Sequence, residues 1–395
     1  MSLLVGIIGK PNVGKSTFFS ALTESNVGIA NYPFTTIESN KGVSYVRTKC
    51  PETEIGKKCS PRFGKCVDGI RMVPVELIDV AGLVPGAHEG KGLGNKFLDD
   101  LRRADGFIQI IDATGSLDQN GNQIGRGKSD PLEDWLFVHE EIVLWLSGII
   151  SDGLIKALRK IESEGGKLDS IIYERVSGLG IDQKDVMVAL KNAAVPSNLR
   201  EWDDSVTKRI SEEIIRLSKP GILVATRGDA ISEEDAANLR QRGARVVSGD
   251  YELVLRKAAK TGLIEYLPGN KEFKIIDPLK LTPTQLSALE RVKSFMLRNG
   301  GTGVQEALEF MVYTVLNMIV VYPVEDENHW TDKNGNVLPD AILMRKGSTA
   351  LDLAFKIHTD LGERFIRAIN GKNKRVLGRD YILEDGDVIK IVASR

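Results

Sequence analysis

The chain alternates short apolar runs with polar turns, then changes to helical periodicity, then returns to short runs. Leu3 to Ile8 is apolar and stops at Gly9, the pattern of a strand buried on both faces. Ser16 to Thr23 follows as a helix. Met72–Ile78, Phe107–Ile111, Gly221–Ala225 and Ala244–Val247 repeat the apolar run followed by polar residues. Strands spaced by helices predict an α/β fold with a doubly wound, mainly parallel sheet and ligands at the strand C-terminal ends. From Asp134 to about Ser218 the text is helical, with Trp135, Val138, Ile142 and Leu146 on one face and Ile155, Leu158 and Ile161 continuing it. That is too long for one crossover helix and predicts a helical insertion between two strands, with Gly165–Gly166 as a hairpin tip.

Past Gly269 the chain reads as a connector with helices at Thr284–Leu297 and Gln305–Leu316. From Met318 onward the pattern shortens again. Ile319–Val321, Ala341–Met344 and Val388–Val392 read as strands, and Thr349–Leu361 as a helix capped by Ser348 or Thr349. This combination predicts a β-grasp domain. The expected organisation is a sheet domain in two parts, 1–133 and 219–278, a helical insertion at 134–218, a helical connector at 279–317 and the β-grasp unit at 318–395.

Length and charge narrow the function classes. At 395 residues two or three domains are expected. A net charge of −1 excludes a global field toward nucleic acid, so any RNA contact must come from a local patch. The N-terminus lacks the basic region and cleavage site of a signal peptide, and no apolar stretch reaches the ~20 residues of a membrane span. A cytoplasmic, monomeric protein without a membrane partner is expected. The cysteines Cys50, Cys59 and Cys66 fall in one segment. Their clustering leaves a metal site open, but with no close C-x-x-C pair and no neighbouring histidine, plain thiols in an excursion between two strands are the expectation.

The strongest chemistry is Gly9-Lys10-Pro11-Asn12-Val13-Gly14-Lys15-Ser16, a full match to G-x-x-x-x-G-K-[ST] after a strand and before a helix. Glycines let successive N–H groups curl around phosphates, and the helix N-terminus adds positive potential. Asn12, Val13, Gly14, Lys15, Ser16 and Thr17 are expected to hold the nucleotide, with Lys15 on the β- and γ-phosphates and the Ser16 hydroxyl on Mg²⁺. Asp79-Val80-Ala81-Gly82 ends a predicted strand, where Asp79 can support the Mg²⁺ shell and the Gly82 amide the γ-phosphate. In Tyr32-Pro33-Phe34-Thr35-Thr36-Ile37-Glu38, Phe34 is expected near the nucleotide and Ile37 to begin a strand. Thr36 would ligate Mg²⁺ only when a γ-phosphate is present, which makes a switch.

GKPNVGKS, NYPFTTIE, DVAGLVPGAHEGKGLGNKFL and the C-terminal β-grasp resemble the Obg family of translation-associated GTPases, in its YchF (Obg-like ATPase) subfamily. The resemblance covers essentially the whole chain. It implies a G domain, an inserted coiled-coil domain and a C-terminal TGS domain. It carries functional roles to Asn12, Lys15, Ser16, Thr36, Asp79, Gly82 and His88. The cysteine-bearing excursion resembles an archaeal-type feature of the subfamily. Leu83 stands where many GTPases carry a water-orienting glutamine, and the resemblance gives that role to His88. Asn12 resembles the residue that helps bind K⁺ beside the phosphates in related GTPases.

Guanine recognition usually rests on N-K-x-D, and here the chain reads Thr226-Arg227-Gly228-Asp229. Asp229 can accept from guanine N1 and N2, and the Arg227 stem can pack over the base. Thr226 replaces a loop-bracing asparagine. Ser248-Gly249-Asp250 stands where a backbone N–H would meet guanine O6. Adenine carries an acceptor at N1 and would face Asp229 unfavourably, so GTP and GDP are the expected ligands. The subfamily's N-x-x-E members prefer ATP, which keeps ATP/ADP or dual use as the alternative. Gly371–Arg375, with Arg364, Arg367 and Arg379, is the candidate contact for RNA or the ribosome. Other classes remain on the sequence: a nucleotide-gated binding module with incidental hydrolysis, and a P-loop kinase, for which no lid or acceptor site is seen. His139, His329 and His358 read as structural or surface residues.

Overall fold

The computed structural model describes residues 3–23, 40–80, 82–83, 85–89, 100, 102–154, 157–158, 166–196, 198 and 201–394. Its strands in chain order are β1 (Leu4–Ile8), β2 (Lys41–Lys49), β3 (Cys66–Val67), β4 (Ile70–Asp79), β5 (Gly106–Asp112), β6 (Gly221–Thr226) and β7 (Ala244–Val246). There follow β8 (Ile264–Glu265), β9 (Lys274–Ile275), β10 (Met318–Val324), β11 (Ile342–Arg345), β12 (Phe365–Asn370), β13 (Val376–Leu377) and β14 (Val388–Ala393). The chain divides into two compact bodies, one of residues 4–24 with 77–307 and one of 1–3, 25–76 and 308–395.

The first body is built on parallel strands. The end of β4, then β1, β5, β6 and β7 lie side by side, with Val5 opposite Gly106 and Asp112 opposite Thr226. Every residue of β1 and β5 is buried, which explains their unbroken apolar runs. Between β5 and β6 the chain makes helices Pro131–Ser151, Leu168–Val176, Gln183–Asn192 and Asp204–Ser218. They share one core through Val138, Ile142, Leu146, Ile172, Val186 and Ile210. Asp130 starts the first of them, its carboxylate accepting from Leu132 N at 3.0 Å ahead of Pro131. Trp135 departs from the expected apolar face. It is 39% exposed and stacks on His139, ring centroids 5.9 Å apart. Ile155, Ile161 and Gly165 fall outside the described residues. Helix Pro283–Asn299 packs with helix Gly249–Lys260 through Leu255, Leu289, Val292 and Met296.

In the second body β2 pairs with β4, and β3 runs antiparallel to β4. Ile37 lies outside the described residues, and β2 as described begins at Lys41. The C-terminal sheet has the order β11-β10-β14-β12-β13, with β10 and β14 parallel and the other pairs antiparallel. Helix Ala350–Ile357 covers its apolar face through Leu353. Thr349 is the cap, its hydroxyl accepting from Asp352 N at 3.2 Å while Asp352 accepts from Thr349 N at 2.7 Å. The helix expected to reach Leu361 breaks at His358, whose backbone is extended, before the short helix Thr359–Glu363. The helix expected over Gln305–Leu316 is α-helical for Val304–Glu309 and widens into a π-helical turn over Phe310–Val315.

Candidate nucleotide-binding and hydrolysis site

The loop after β1 is tied down from several sides. Lys10 is 2% exposed, forms an ion pair with Asp134 at 2.5 Å and donates to Asp118 O at 2.7 Å. Asn12 takes a left-handed backbone, φ 63°, and its amide donates to Gly121 O at 3.1 Å. Gly9 and Gly14 have φ of 150° and 95°; a Cβ on Gly9 would meet Ile110 O at 2.5 Å. Val13 is fully buried, and Lys15, Ser16 and Thr17 open the helix Lys15–Thr23. The Lys15 ammonium donates to Lys10 O at 2.6 Å. Burial pushes it down to about 8, against the opposing pull of Asp79.

Ser16 Oγ donates to Asp79 Oδ2 at 3.2 Å. Asp79 Oδ1 is shielded from water and has no hydrogen-bond partner among the described residues. Burial raises the Asp79 pKa, with Lys15 and Ser16 opposing. A hydroxyl beside a carboxylate with an unused buried oxygen is the donor set a hard cation takes, so the residues present fit Mg²⁺. Gly82 lies against the loop, since a Cβ there would meet Pro11 N at 2.9 Å, and Leu83 N donates to Gly9 O at 3.2 Å. Phe34 and Thr36 fall outside the described residues.

His88 sits in a short helical turn, Ala87–Glu89, whose geometry is set by a residue that sequence reasoning missed. Glu141 accepts from Gly86 N at 2.9 Å and from His88 N at 3.0 Å, and it meets His88 Nδ1 at 2.7 Å. Burial pushes the Glu141 carboxyl up, but His88 and the two amides lower it overall. An anionic Glu141 can only accept, so Nδ1 carries the proton of this bond and Nε2 takes no part in it. Asp134 and Glu141 are seven positions apart on helix Pro131–Ser151, hence on one face and about 10 Å apart along its axis. One helix thus holds Lys10 at one point and His88 at another.

The base loops are stitched together, Gly228 N donating to Val247 O at 2.9 Å. The Thr226 hydroxyl reaches Val13 O at 2.6 Å and Ile111 O at 3.1 Å, so it braces the loop that the missing asparagine was expected to leave unbraced. Arg227 has φ 58°, pairs with the buried Asp112 at 3.1 Å and donates to Asn12 O at 3.0 Å. Asp229 Oδ1 is buried and has no partner among the described residues. Ser248 caps helix Gly249–Lys260, accepting from Tyr251 N at 3.3 Å. Gly249 and Asp250 form its first turn, where backbone N–H groups lack helical partners and the dipole is positive. Asp112, Asp118 and Asp134 are the supports the sequence did not flag. Each acts across a hundred or more residues or through a neighbouring element, which leaves no local signal.

Fold and site together define a P-loop nucleoside triphosphate hydrolase. Residues 4–138 match the family described as 50S ribosome-binding GTPase, 224–326 the Obg-like GTPase YGR210-like, G4 motif-containing domain, and 334–393 the TGS domain. An uncharacterised GTP-binding protein of Methanocaldococcus jannaschii is 45% identical over 99% of both chains. The ribosome-binding ATPase YchF of Bacillus subtilis is 28% identical over 98% of both chains. The crystal structure of a GTP-binding protein from Pyrococcus horikoshii OT3 matches with a TM-score of 0.77 at 38% identity, over 99% of this chain and 100% of that one. The chain belongs to the Obg-like, YchF family of P-loop GTPases with a C-terminal TGS domain. Among the described residues, no helix is long and apolar enough to cross a membrane.

Proposed function

We propose that the chain is a Mg²⁺-dependent GTP switch that hydrolyses its nucleotide and engages the ribosome or its RNA. The observation that carries the guanine assignment is Asp229, with a buried carboxylate oxygen lacking a partner among the described residues. A buried acceptor left unpaired costs about 1–3 kcal/mol, and guanine N1 and N2 offer the paired donors that would satisfy it. Adenine offers no donor at N1. The Gly249 and Asp250 amides would meet guanine O6 at the start of their helix.

Ser16 and Asp79, with Thr36 in the nucleotide-bound state, would hold Mg²⁺, which neutralises phosphate charge when bound. Asn12 is the candidate ligand for a second cation, K⁺. Lys15 meets the β- and γ-phosphates, and the Gly82 amide senses the γ-phosphate. His88 Nε2 orients the attacking water while Glu141 holds the ring from Nδ1. The TGS unit at 318–395 and the insertion at 134–218 are the partner-binding parts. In support, Arg364, Arg367, Arg375 and Arg379 are all exposed, and the name of the Bacillus relative includes ribosome binding. Lys372 is less available, paired with Glu54 at 2.9 Å.

A second reading, ATP preference, is favoured by the same relative's description as an ATPase and by Thr226 in place of asparagine. Titration with GDP, GTP, ADP and ATP in Mg²⁺ and K⁺ separates the two. The proposal expects a guanine preference of a hundredfold or more that Asp229→Ala abolishes. Equal or tighter adenine binding would overturn it.

A further inference from the structure

The excursion between β2 and β4 brings its three cysteines together with an acid that the spacing did not suggest. Cys50 directly follows β2, Cys66 begins the tight hairpin that returns through Asp68-Gly69 to β4, and Cys59 lies between them. Cys50 Sγ and Cys59 Sγ are 3.7 Å apart. Cys66 Sγ is 3.5 Å from Glu52 Oε1. Glu52 is aimed by its other oxygen, which accepts from Cys59 N at 2.7 Å. One ligand atom from each of the four residues lies within 4.8 Å of all the others.

The Cys50–Cys59 and Cys66–Glu52 separations match those of a tetrahedral site. An ion with Zn–S of about 2.3 Å and Zn–O of about 2.0 Å needs sulfurs about 3.8 Å apart and sulfur to oxygen about 3.5 Å. Two sulfurs this close share a single ion rather than separate irons of a cluster. They are free cysteines, well beyond the bonded S–S length of about 2.05 Å.

A second observation points to thiolates. Arg71 is 1% exposed and sits opposite Cys66 in the hairpin. Its guanidinium donates to Leu338 O at 3.1 Å and Pro339 O at 2.9 Å, and its Nη1 reaches Cys59 Sγ at 3.5 Å. Among the described residues these two carbonyls and the sulfur are its nearest partners, and the carboxylate whose charge it feels, Asp340, is already paired with Arg62 at 3.0 Å. Three thiolates and a carboxylate around a divalent ion carry a surplus negative charge, which Arg71 is placed to balance.

We propose that Cys50, Glu52, Cys59 and Cys66 form a structural zinc site, with Arg71 as its outer-shell counter-charge. All four positions on the ion are filled by protein, which makes the site closed and non-catalytic. Its effect is to fix the excursion's shape. The same segment donates from Ser60 N to Val337 O and from Arg62 N to Pro339 O, both at 2.8 Å, and pairs Arg62 with Asp340 at 3.0 Å. Zinc would thereby hold the loop that docks on residues 337–340 of the C-terminal domain.

The test is metal analysis of the purified full chain, prepared reduced and loaded with Zn²⁺, and then with Co²⁺. The expected result is one zinc per chain, and with cobalt the intense absorption of tetrahedral cobalt thiolate. Cys59→Ser and Cys66→Ser should lose the metal, and Glu52→Gln should bind it at least tenfold more weakly. GDP binding by each variant shows that the nucleotide-binding body still folds. Should the cysteine variants not fold, Arg71→Met in the otherwise intact set should weaken zinc while leaving the cobalt spectrum tetrahedral. Less than a tenth of an equivalent of metal in the reduced wild type would overturn the proposal. So would a Cys50–Cys59 disulfide in mass spectra of protein purified without oxidant, or three thiols reacting with a thiol reagent at the rate of exposed cysteine.

Discussion

Lys15→Met should make the nucleotide-free protein more stable while destroying its response to nucleotide. Lys15 is 8% exposed, and in the fold its ammonium is held at about 8 instead of 10.5. That difference corresponds to about 3 kcal/mol against the charged form at neutral pH. Methionine has a similar length and no charge to desolvate. Against the gain stands the hydrogen bond to Lys10 O, 2.6 Å, worth about 1 kcal/mol. The net expectation is about 2 kcal/mol of stabilisation, or roughly 4–8 °C in the melting temperature of this body. The sign has a pH signature. The unfolded lysine keeps its proton to about 10.5, and the folded one releases it above about 8. Between these values the unfolded chain binds more protons, so wild-type stability rises with pH and the advantage of the variant fades. Differential scanning calorimetry of nucleotide-free protein from pH 7 to 10 measures this. GDP at a hundred times its Kd should then stabilise wild type by about 2.7 kcal/mol and leave the variant unmoved. A variant that melts at or below the wild-type temperature at pH 7 would refute the reasoning, because the buried ammonium would then carry no penalty.

Glu141→Gln keeps the size of the side chain but removes the charge that fixes the His88 tautomer, and it should lower turnover about ten- to a hundredfold. GDP affinity should stay within threefold of wild type; single-turnover hydrolysis alongside nucleotide titration distinguishes this from general damage to the site. Thr226→Val removes the hydroxyl from Val13 O and Ile111 O and should cost about 1–3 kcal/mol, with nucleotide affinity falling roughly tenfold. Thr226→Ser, which keeps the donor, should recover most of both in the same melting and titration assays.

The elements that the sequence revealed are those whose physics is local. A phosphate loop needs glycines at fixed spacing between a strand and a helix, and all of that is written within ten residues. The strands β1 and β5 were legible because burial on both faces demands an unbroken apolar run. The helix break at His358 was not, since the residues after it form a short helix of their own, Thr359–Glu363, and only the extended backbone at that position separates the two. Trp135 has the right spacing for the core face but lies near the helix start, where His139 rather than the core receives its ring. Thr226 shows the limit of motif reading. The motif supplies an expected residue, and the structure supplies the same bracing from another functional group. Glu141 was illegible for a different reason: it acts on a loop more than fifty positions earlier, and nothing near either partner marks the pair.

Helix Pro131–Ser151 has a mechanical consequence. Its first turns hold Lys10 of the phosphate loop through Asp134, its middle holds His88 through Glu141, and its last turns meet helix Asp204–Ser218 where Ser147 lies 3.0 Å from Thr207. The insertion therefore has no floor of its own. The rod that opens it is also the rail on which His88 rides, and on the proposed function a partner that tilts the bundle would turn that rail beneath the phosphates without touching them.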